Sequence, residues 1–531
     1  MHLTDGLSQL QTIVFLMFAS AILIGLAQKL RISYPIALVL GGVAISFLPA
    51  QKPIDIDPSL LLFIVLPPII YYAAFGIQFR EFIRNWRQIF SLALGLVVVT
   101  TLVIGVLFKW LFPQFSWALA FAFGAIVSPP DTAAATAILK HFKISNRLLT
   151  ILEGESLVND ATALVLYRLA VIAILAGTFS FTQGALEFIK VAAGGVGSGI
   201  LLGIFLQDFS RRYLEPVVGV VFSFTIPYIS FMIADYFGFS GVLTVLTVGL
   251  IGARVLHTHQ SSLRRVIGYA TWDIFIILMN CFVFILIGLK LGAISAELSP
   301  SEMLLYCGYA ALIAIAMVLV RMIWVYTQKG PAYMRALNNP HPNYACTQVL
   351  REGAVIGWAG MRGIVSLTAV LSLPIVLTNG EPLEGRDVAI FLTFAVIFIT
   401  LVIPGLTLPA LIRWLEIDHS APHVGVNRVA KQLGKTAQDE LDKMNTAQEL
   451  NEEEYNFLHT YFLLQRLILT MSTHAHKKLH NLETARQRVL KIQKNHLLEM
   501  WKNQEIDDVM LSHLEQQLDV EETHMSRAEL K

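Results

Sequence analysis

The sequence predicts an all-α membrane protein of about thirteen transmembrane helices, arranged as two inverted six-helix repeats and followed by a helical cytoplasmic tail. Three observations carry that prediction: a composition too apolar for a soluble domain, bilayer-length apolar runs up to residue 413, and a switch to charged sequence beyond it. Of the 531 residues, 55% are hydrophobic and only 15% charged, with a mean hydropathy of +0.62, whereas soluble domains carry about 25% charged residues. The formal net charge of +1 excludes a nucleic-acid partner, which would need a basic surface excess. Cys281, Cys307 and Cys346 are widely spaced and suggest neither a disulfide framework nor a clustered metal site. No basic stretch precedes the first apolar run, which is therefore read as a retained span.

A hydrocarbon core of about 30 Å needs about 20 mostly apolar residues per helix. That ruler places spans at 10 to 27, 33 to 49, 58 to 77, 88 to 108, 116 to 139, 149 to 175, 185 to 206, 216 to 236, 238 to 254, 272 to 292, 303 to 327, 352 to 377 and 388 to 413. The tightest gap, 236 to 240, separates the eighth from the ninth. Orientation follows from the lysines and arginines, which cytoplasmic loops retain. Alternate connections hold Lys29 and Arg31; Arg80, Arg84 and Arg87; Lys140, Lys143 and Arg147; Arg211 and Arg212; Arg254, Arg264 and Arg265; and Lys329, Arg335 and Arg351. The intervening ones offer only Lys52, Lys109, Lys190, Lys290 and Arg386. The alternation predicts an N-terminus outside and a C-terminus in the cytoplasm; the expected location is the plasma or inner membrane.

The predicted domains are thus a transmembrane unit, 1 to 413, and a cytoplasmic helical regulatory tail, 414 to 531. In the tail, Phe457, Phe462, Leu463, Leu467 and Leu469 recur at helical spacing. His476 and His480 stand four residues apart, a spacing that suits a metal or a pH sensor. A solvated helix face is the simpler reading, because no third ligand is indicated.

Thirteen spans divide into six, a linker and six of opposite topology, an arrangement many secondary transporters share. The fifth member of each half is interrupted. Span 5 carries Ser128, Pro129, Pro130 and Asp131 in mid-stretch, and span 12 carries Gly357, Gly360, Arg362 and Gly363. Proline removes a backbone donor and glycine loosens the helix, so each can open into half-helices whose freed ends coordinate an ion. Span 3 is read as interrupted too, at Pro67 and Pro68, with no charge at the break.

Charges inside spans cost about 2.5 kcal/mol or more, and they mark function. Asp131 and Asp160 flank the loop from Lys140 to Arg147 at comparable distance, which at about 1.5 Å per residue sets both near mid-bilayer. Arg362 lies near the centre of its span. In span 6, Ser156 and Asp160 share one helical stripe, while Glu155 and Asn159 form the adjacent one. A hard monovalent cation prefers oxygen ligands, which Asp160, Ser156 and the exposed carbonyls of span 5 would supply. Glu155 is the natural partner for Arg362, because an unpaired buried charge is expensive. Removing a carboxylate from water disfavours its charged form, so at Asp160 a proton and a cation would compete for the same oxygens. One titrating carboxylate beside neutral Asn159 favours one proton per cation, hence electroneutral exchange. An intramembrane aspartyl protease is the competing enzyme reading, but neither aspartate shows a glycine-flanked motif. A channel would need a continuous polar lining, whereas the polar residues here concentrate at one depth.

The runs FGAIVSPPDTAAA (123 to 135), EGESLVNDATALVLY (153 to 167) and GWAGMRGIVSLTAVLSLP (357 to 374) resemble the NhaP/NHE-type sodium/proton antiporters. LPPIIYYAAF (66 to 75) and FVFILIGL (282 to 289) are weaker echoes. The resemblance implies a secondary transporter rather than an enzyme, homodimeric, without cofactor, exchanging sodium (lithium or potassium as alternatives) for protons in pH and cation homeostasis. It implies Asp160 as carrier, Ser156 and the break around Asp131 as co-ligands, and Glu155, Asn159 and Arg362 as a structural cluster behind them. Two departures stand out. At the span 5 break the order is Pro130, Asp131, Thr132, so the side-chain ligand before the aspartate is lost and Thr132 is the hydroxyl that could replace it. Where many relatives place an acidic residue in span 3, this chain has Tyr72. Sodium and potassium both stay open as substrates.

Overall fold

The computed structural model describes residues 2–30, 33–47, 58–77, 79–131, 144–176, 181–259, 262–297, 299–337, 342–378, 380–416, 423–470 and 488–497, with scattered positions between 135 and 142 and after 498. Among these residues the secondary structure is helical apart from one isolated bridge between Val376 and Pro382. The chain divides into two units, Met1–His419 and Ser420–Lys531.

The first unit contains α1 (His2–Leu30), α2 (Tyr34–Ser46), α3 (Pro58–Phe75), α4 (Phe79–Arg84) and α5 (Trp86–Leu111), which includes a π-helical turn at Ser91–Leu96. Then come α6 (Trp117–Val127), α7 (Asn146–Ala176), α8 (Phe181–Tyr213), α9 (Pro216–Tyr236), α10 (Gly241–His259) and α11 (Ser262–Glu297). It closes with α12 (Pro300–Leu337), α13 (Pro342–Trp358), α14 (Ile364–Leu371) and α15 (Arg386–Trp414). Helices α5, α7, α8, α9, α11, α12 and α15 are long and apolar enough to cross a membrane, and α1, α2, α3, α6 and α10 hold shorter apolar stretches. Hydrocarbon offers no hydrogen bonds, so these Leu-, Ile-, Val- and Phe-rich runs must close their backbone bonds within themselves, which selects helix. Large apolar side chains on the outside, such as Phe18, Leu201 and Leu304, suit a lipid surround.

Helix packing relies on small residues where backbones meet. Between α2 and α11, a methyl added to Gly42 would stand 2.4 Å from the Ile285 carbonyl oxygen, and one added to Gly288 would stand 2.2 Å from that of Val39. Close approach of this kind replaces the hydrophobic drive that lipid cannot supply between helices. At 236 to 240 the chain turns, with Gly238 N–H donating to the Asp235 carbonyl at 2.9 Å and Phe239 N–H to that of Ala234 at 2.9 Å. This turn keeps α9 and α10 distinct.

One expectation is corrected. Span 3 is not interrupted at its prolines: α3 runs continuously from Pro58 to Phe75 with Pro67 and Pro68 inside it. Pro68 has no N–H for the carbonyl four residues earlier, that of Ile64. The hydroxyl of Tyr228, on α9, donates to that carbonyl at 2.9 Å, so the freed acceptor is satisfied by a neighbouring helix and the helix survives.

In the second unit, α16 (His423–Thr446) packs on α17 (Glu452–Thr470). Asn451 accepts from Glu454 N–H at 2.8 Å while the Glu454 carboxylate accepts from Asn451 N–H at 2.9 Å. This reciprocal box starts α17, and the Tyr455 hydroxyl ties it to Asp442 of α16 at 2.7 Å. A further helix covers 488–497. His476 and His480 lie outside the described residues.

Candidate functional site

The site is built where two helices stop. Helix α6 starts at Ser116, whose hydroxyl caps Leu119 N–H at 3.2 Å, and runs as an apolar rod to Val127. Ser128, Pro129 and Pro130 end it, since the prolines supply no N–H, and residues 128–131 leave the helical path. A helix end strands its last carbonyls, and buried carbonyls need donors. They come from elsewhere in the chain. Arg362 Nε donates to the Val127 carbonyl at 3.1 Å and its Nη2 reaches that of Ser128 at 3.5 Å. Asn159 Nδ2 donates to the Pro130 carbonyl at 3.0 Å.

The second stop lies between α13 and α14, at residues 359–363. Its Met361 carbonyl accepts from Asp131 N–H at 2.6 Å, and Arg362 Nη1 donates to the Gly360 carbonyl. Both glycines are required by contact. A methyl at Gly363 would stand 1.9 Å from Asp131 Oδ2, and one at Gly360 would stand 2.6 Å from the Arg321 Cδ. The two non-helical stretches therefore meet and exchange backbone and side-chain hydrogen bonds.

Helix α7 passes behind this meeting point and sorts its polar residues by face. Glu155 and Asn159 are fully buried, whereas Ser156 and Asp160 are half-buried, as two adjacent helical stripes would be. Asp131 is half-buried as well and lies within electrostatic reach of Asp160. Pro129 and Pro130 are buried. The Asn159 Oδ1 is buried with no hydrogen-bond partner among the described residues. Thr132 lies outside the described residues.

The expected pairing of Glu155 with Arg362 is corrected. Glu155 is gripped by Arg321 of α12 as a two-pronged fork, with Arg321 Nη2 on Oε2 at 2.8 Å and Nη1 on Oε1. Arg321 Nε also donates to the Ile356 carbonyl of α13 at 3.0 Å, and the two side chains are 2% and 0% exposed. Arg362 is committed to the carbonyls of the two breaks instead, where a planar guanidinium satisfies several acceptors at once. Arg321 was missing from the sequence reading. Its signal was available, since it interrupts the apolar run of span 303 to 327 as a lone charge.

Two further polar groups approach from α2 and α11. Asn280 Nδ2 donates to the Tyr34 hydroxyl at 3.2 Å, and Tyr34 is within electrostatic reach of Asp131. The whole is a half-buried pair of carboxylates beside a serine hydroxyl and interrupted backbone, backed by a dry cluster in which Glu155 pairs with Arg321 and Arg362 serves the freed carbonyls. Such a set of hard oxygen donors can ligate a monovalent cation or take up a proton.

Comparison with known proteins gives the family and the fold. The family model described as "Sodium/hydrogen exchanger, transmembrane" matches residues 15–414. The chain is 32% identical to the "Uncharacterized Na(+)/H(+) exchanger YjcE" of Escherichia coli, over 76% of this chain and 75% of that one. It is 28% identical to the "Sodium, potassium, lithium and rubidium/H(+) antiporter" of Bacillus pumilus, over 72% of this chain and 58% of that one. Its fold is similar to that of the sodium proton antiporter MjNhaP1 from Methanocaldococcus jannaschii. The TM-score is 0.61 at 18% identity, covering 78% of this chain and 99% of that one.

Proposed function

The chain belongs to the sodium/hydrogen exchanger family, and we propose that it exchanges sodium for protons, one for one, by competition at Asp160. The observation that carries this reading is the hydrogen bond from Asp131 N–H to the Met361 carbonyl. It ties the two non-helical stretches together, Asn159 of α7 bonds the first of them, and Asp160, Ser156 and Asp131 are each half-buried.

In this account the cation binds the Asp160 carboxylate with Ser156, Asp131 and the Thr132 hydroxyl as further oxygen ligands. A proton on Asp160 removes the charge that holds the cation, so the two occupy the site in turn. The two loaded forms carry the same charge, and the empty site, one charge more negative, is the costly one to carry across. That asymmetry makes exchange obligatory. Asn159 is neutral and Asp131 keeps the same charge in both loaded forms, so one proton replaces one cation and the cycle is electroneutral. Glu155, Arg321, Asn159 and Arg362 hold the frame, and no cofactor enters.

The shorter apolar helices and the two interrupted segments complete thirteen crossings in two inverted repeats. The breaks at Pro129 and Pro130 and at Gly360 and Gly363 are then corresponding discontinuous helices of the two halves. The lysine and arginine distribution puts the N-terminus outside and residues 414 to 531 in the cytoplasm as a regulatory tail. The chain works as a homodimer in the plasma or inner membrane, serving pH and cation homeostasis.

A potassium-for-proton exchanger is the second reading, favoured by the relative named for sodium, potassium, lithium and rubidium. Proteoliposomes loaded with a pH-sensitive dye and an outward-directed acid load separate the readings. Sodium and lithium should dequench the dye at concentrations where potassium does not. Equal dequenching by potassium would move the assignment to the second reading, and no dequenching by any of them would refute exchange.

A further inference from the structure

Tyr72 stands in the last turn of α3, on the side of the membrane where α11 begins, and its hydroxyl donates to the Asp273 carboxylate of α11. The Tyr72 ring lies flat on that of Trp272, with centroids 5.6 Å apart and planes 8° from parallel. Trp272 is itself buried and donates Nε1 to the Ser223 hydroxyl at 2.9 Å. The tyrosine is thus clamped between a fixed indole and a carboxylate, and it holds that carboxylate in one place.

Asp273 is exposed, and among the described residues no cationic side chain forms an ion pair with it. An ionised carboxylate facing lipid within a span would cost about 2.5 kcal/mol or more, so an exposed one without an ion-pair partner is accommodated when it faces water. Seven residues further along α11, about 10 Å at the helical rise, Asn280 meets Tyr34 at 3.2 Å, and Tyr34 is within electrostatic reach of Asp131. Residues 273 and 280 differ by two turns and therefore share a helix face. That face carries the exposed Asp273 at one end and, two turns on, Asn280 beside the neighbourhood of the exchange site. The basic residues at this end of α11 do not cancel the charge. Arg264 gives its guanidinium to the Ser210 backbone carbonyl at 3.1 Å and to the Ser210 hydroxyl, and Arg265 stands about two turns from Asp273 with Tyr269 between them.

We propose that Asp273, positioned by Tyr72, is a cation-recruiting site at the mouth of the path to Asp160, on the face where α3 ends and α11 begins. It rests on the exchange reading above. A fixed negative charge at a low-dielectric mouth raises the local cation concentration and so the rate of capture. It does not alter the exchange step itself, so its contribution falls on KM and on one face only.

The test uses proteoliposomes of determined orientation, with sodium offered to one face at a time and proton flux read from an entrapped dye. With Asp273→Asn, the KM for sodium on the face where α3 ends should rise about 3- to 10-fold, while the maximal rate and the KM on the opposite face stay as in wild type. Asp273→Glu should restore most of the affinity, and Tyr72→Phe should give an intermediate rise. Added choline chloride should shrink the wild-type advantage by screening the exposed charge. An unchanged KM in Asp273→Asn, an equal change on both faces, or a loss of maximal rate that Asp273→Glu leaves unrepaired would overturn the proposal. Wild-type exchange in the same liposomes separates the two claims, since its failure would refute antiport itself.

Discussion

Asp131 donates its backbone N–H to the carbonyl of Met361 across 2.6 Å, so one interrupted segment closes the other. The carboxylate of Asp131 packs at the same time on Gly363, where a methyl would stand 1.9 Å from Oδ2. The position of a charged group beside Asp160 is therefore set by a residue more than two hundred positions away in the chain.

Gly363→Ala should push the Asp131 carboxylate off its seat. Misplacing a group at a reacting centre by about 1 Å can cost 10²-fold, and a rate at least about tenfold lower is expected with the protein still folded. Gly25→Ala is the control, because nothing lies within 4 Å of a methyl at Gly25. Initial rates of cation-driven proton flux check this, and equal rates in the two variants would contradict it.

The fork between Glu155 and Arg321 is dry on both sides, at 0% and 2% exposure. Breaking such a pair strands a buried charge and costs about 3 to 5 kcal/mol. Arg321→Met or Glu155→Gln should thus lower the unfolding temperature in detergent strongly, and the double variant Glu155→Leu with Arg321→Met should recover much of the loss. Additive losses in the double variant would show that the pair is not coupled.

Asn159→Ala removes the donor to the Pro130 carbonyl. A buried acceptor left without a partner costs about 1 to 3 kcal/mol, so thermal stability should fall measurably. Exchange should slow as the break at Pro129 and Pro130 loosens, without a change in which cation is preferred.

Competition at one carboxylate fixes the sign of the pH effect. Protonated Asp160 has no charge for the cation, so lowering the pH raises the apparent KM for sodium, by up to about tenfold per unit below the group's pKa. The maximal rate at saturating sodium should be regained. A fall in maximal rate with constant KM would place the proton and the cation on different groups. A one-for-one cycle also moves no net charge, so exchange should ignore an imposed membrane potential, and a steady current would contradict it.

The sequence made the apolar helices and both stopping points legible, because hydropathy, proline and glycine are local signals. The two stripes of α7 were legible for the same reason, since helical spacing alone separates Glu155 and Asn159 from Ser156 and Asp160. Partner choice was not. Glu155 takes Arg321 rather than Arg362 because the freed carbonyls of Val127, Ser128 and Gly360 claim the other guanidinium, and that competition exists only once three distant segments meet. The continuity of α3 was hidden likewise, because it depends on Tyr228 reaching the Ile64 carbonyl from another helix. Tyr72 looked in the sequence like the loss of an acid, and in the fold it holds Asp273 of α11.

The central claim is that one carboxylate, Asp160, carries both ions in turn. Uptake of radioactive sodium into acid-loaded proteoliposomes, driven by the outward proton gradient, measures both legs together in wild type and in Asp160→Asn. Wild type should accumulate sodium against its gradient and Asp160→Asn should take up no more than empty liposomes. Gradient-driven accumulation by Asp160→Asn would contradict the account.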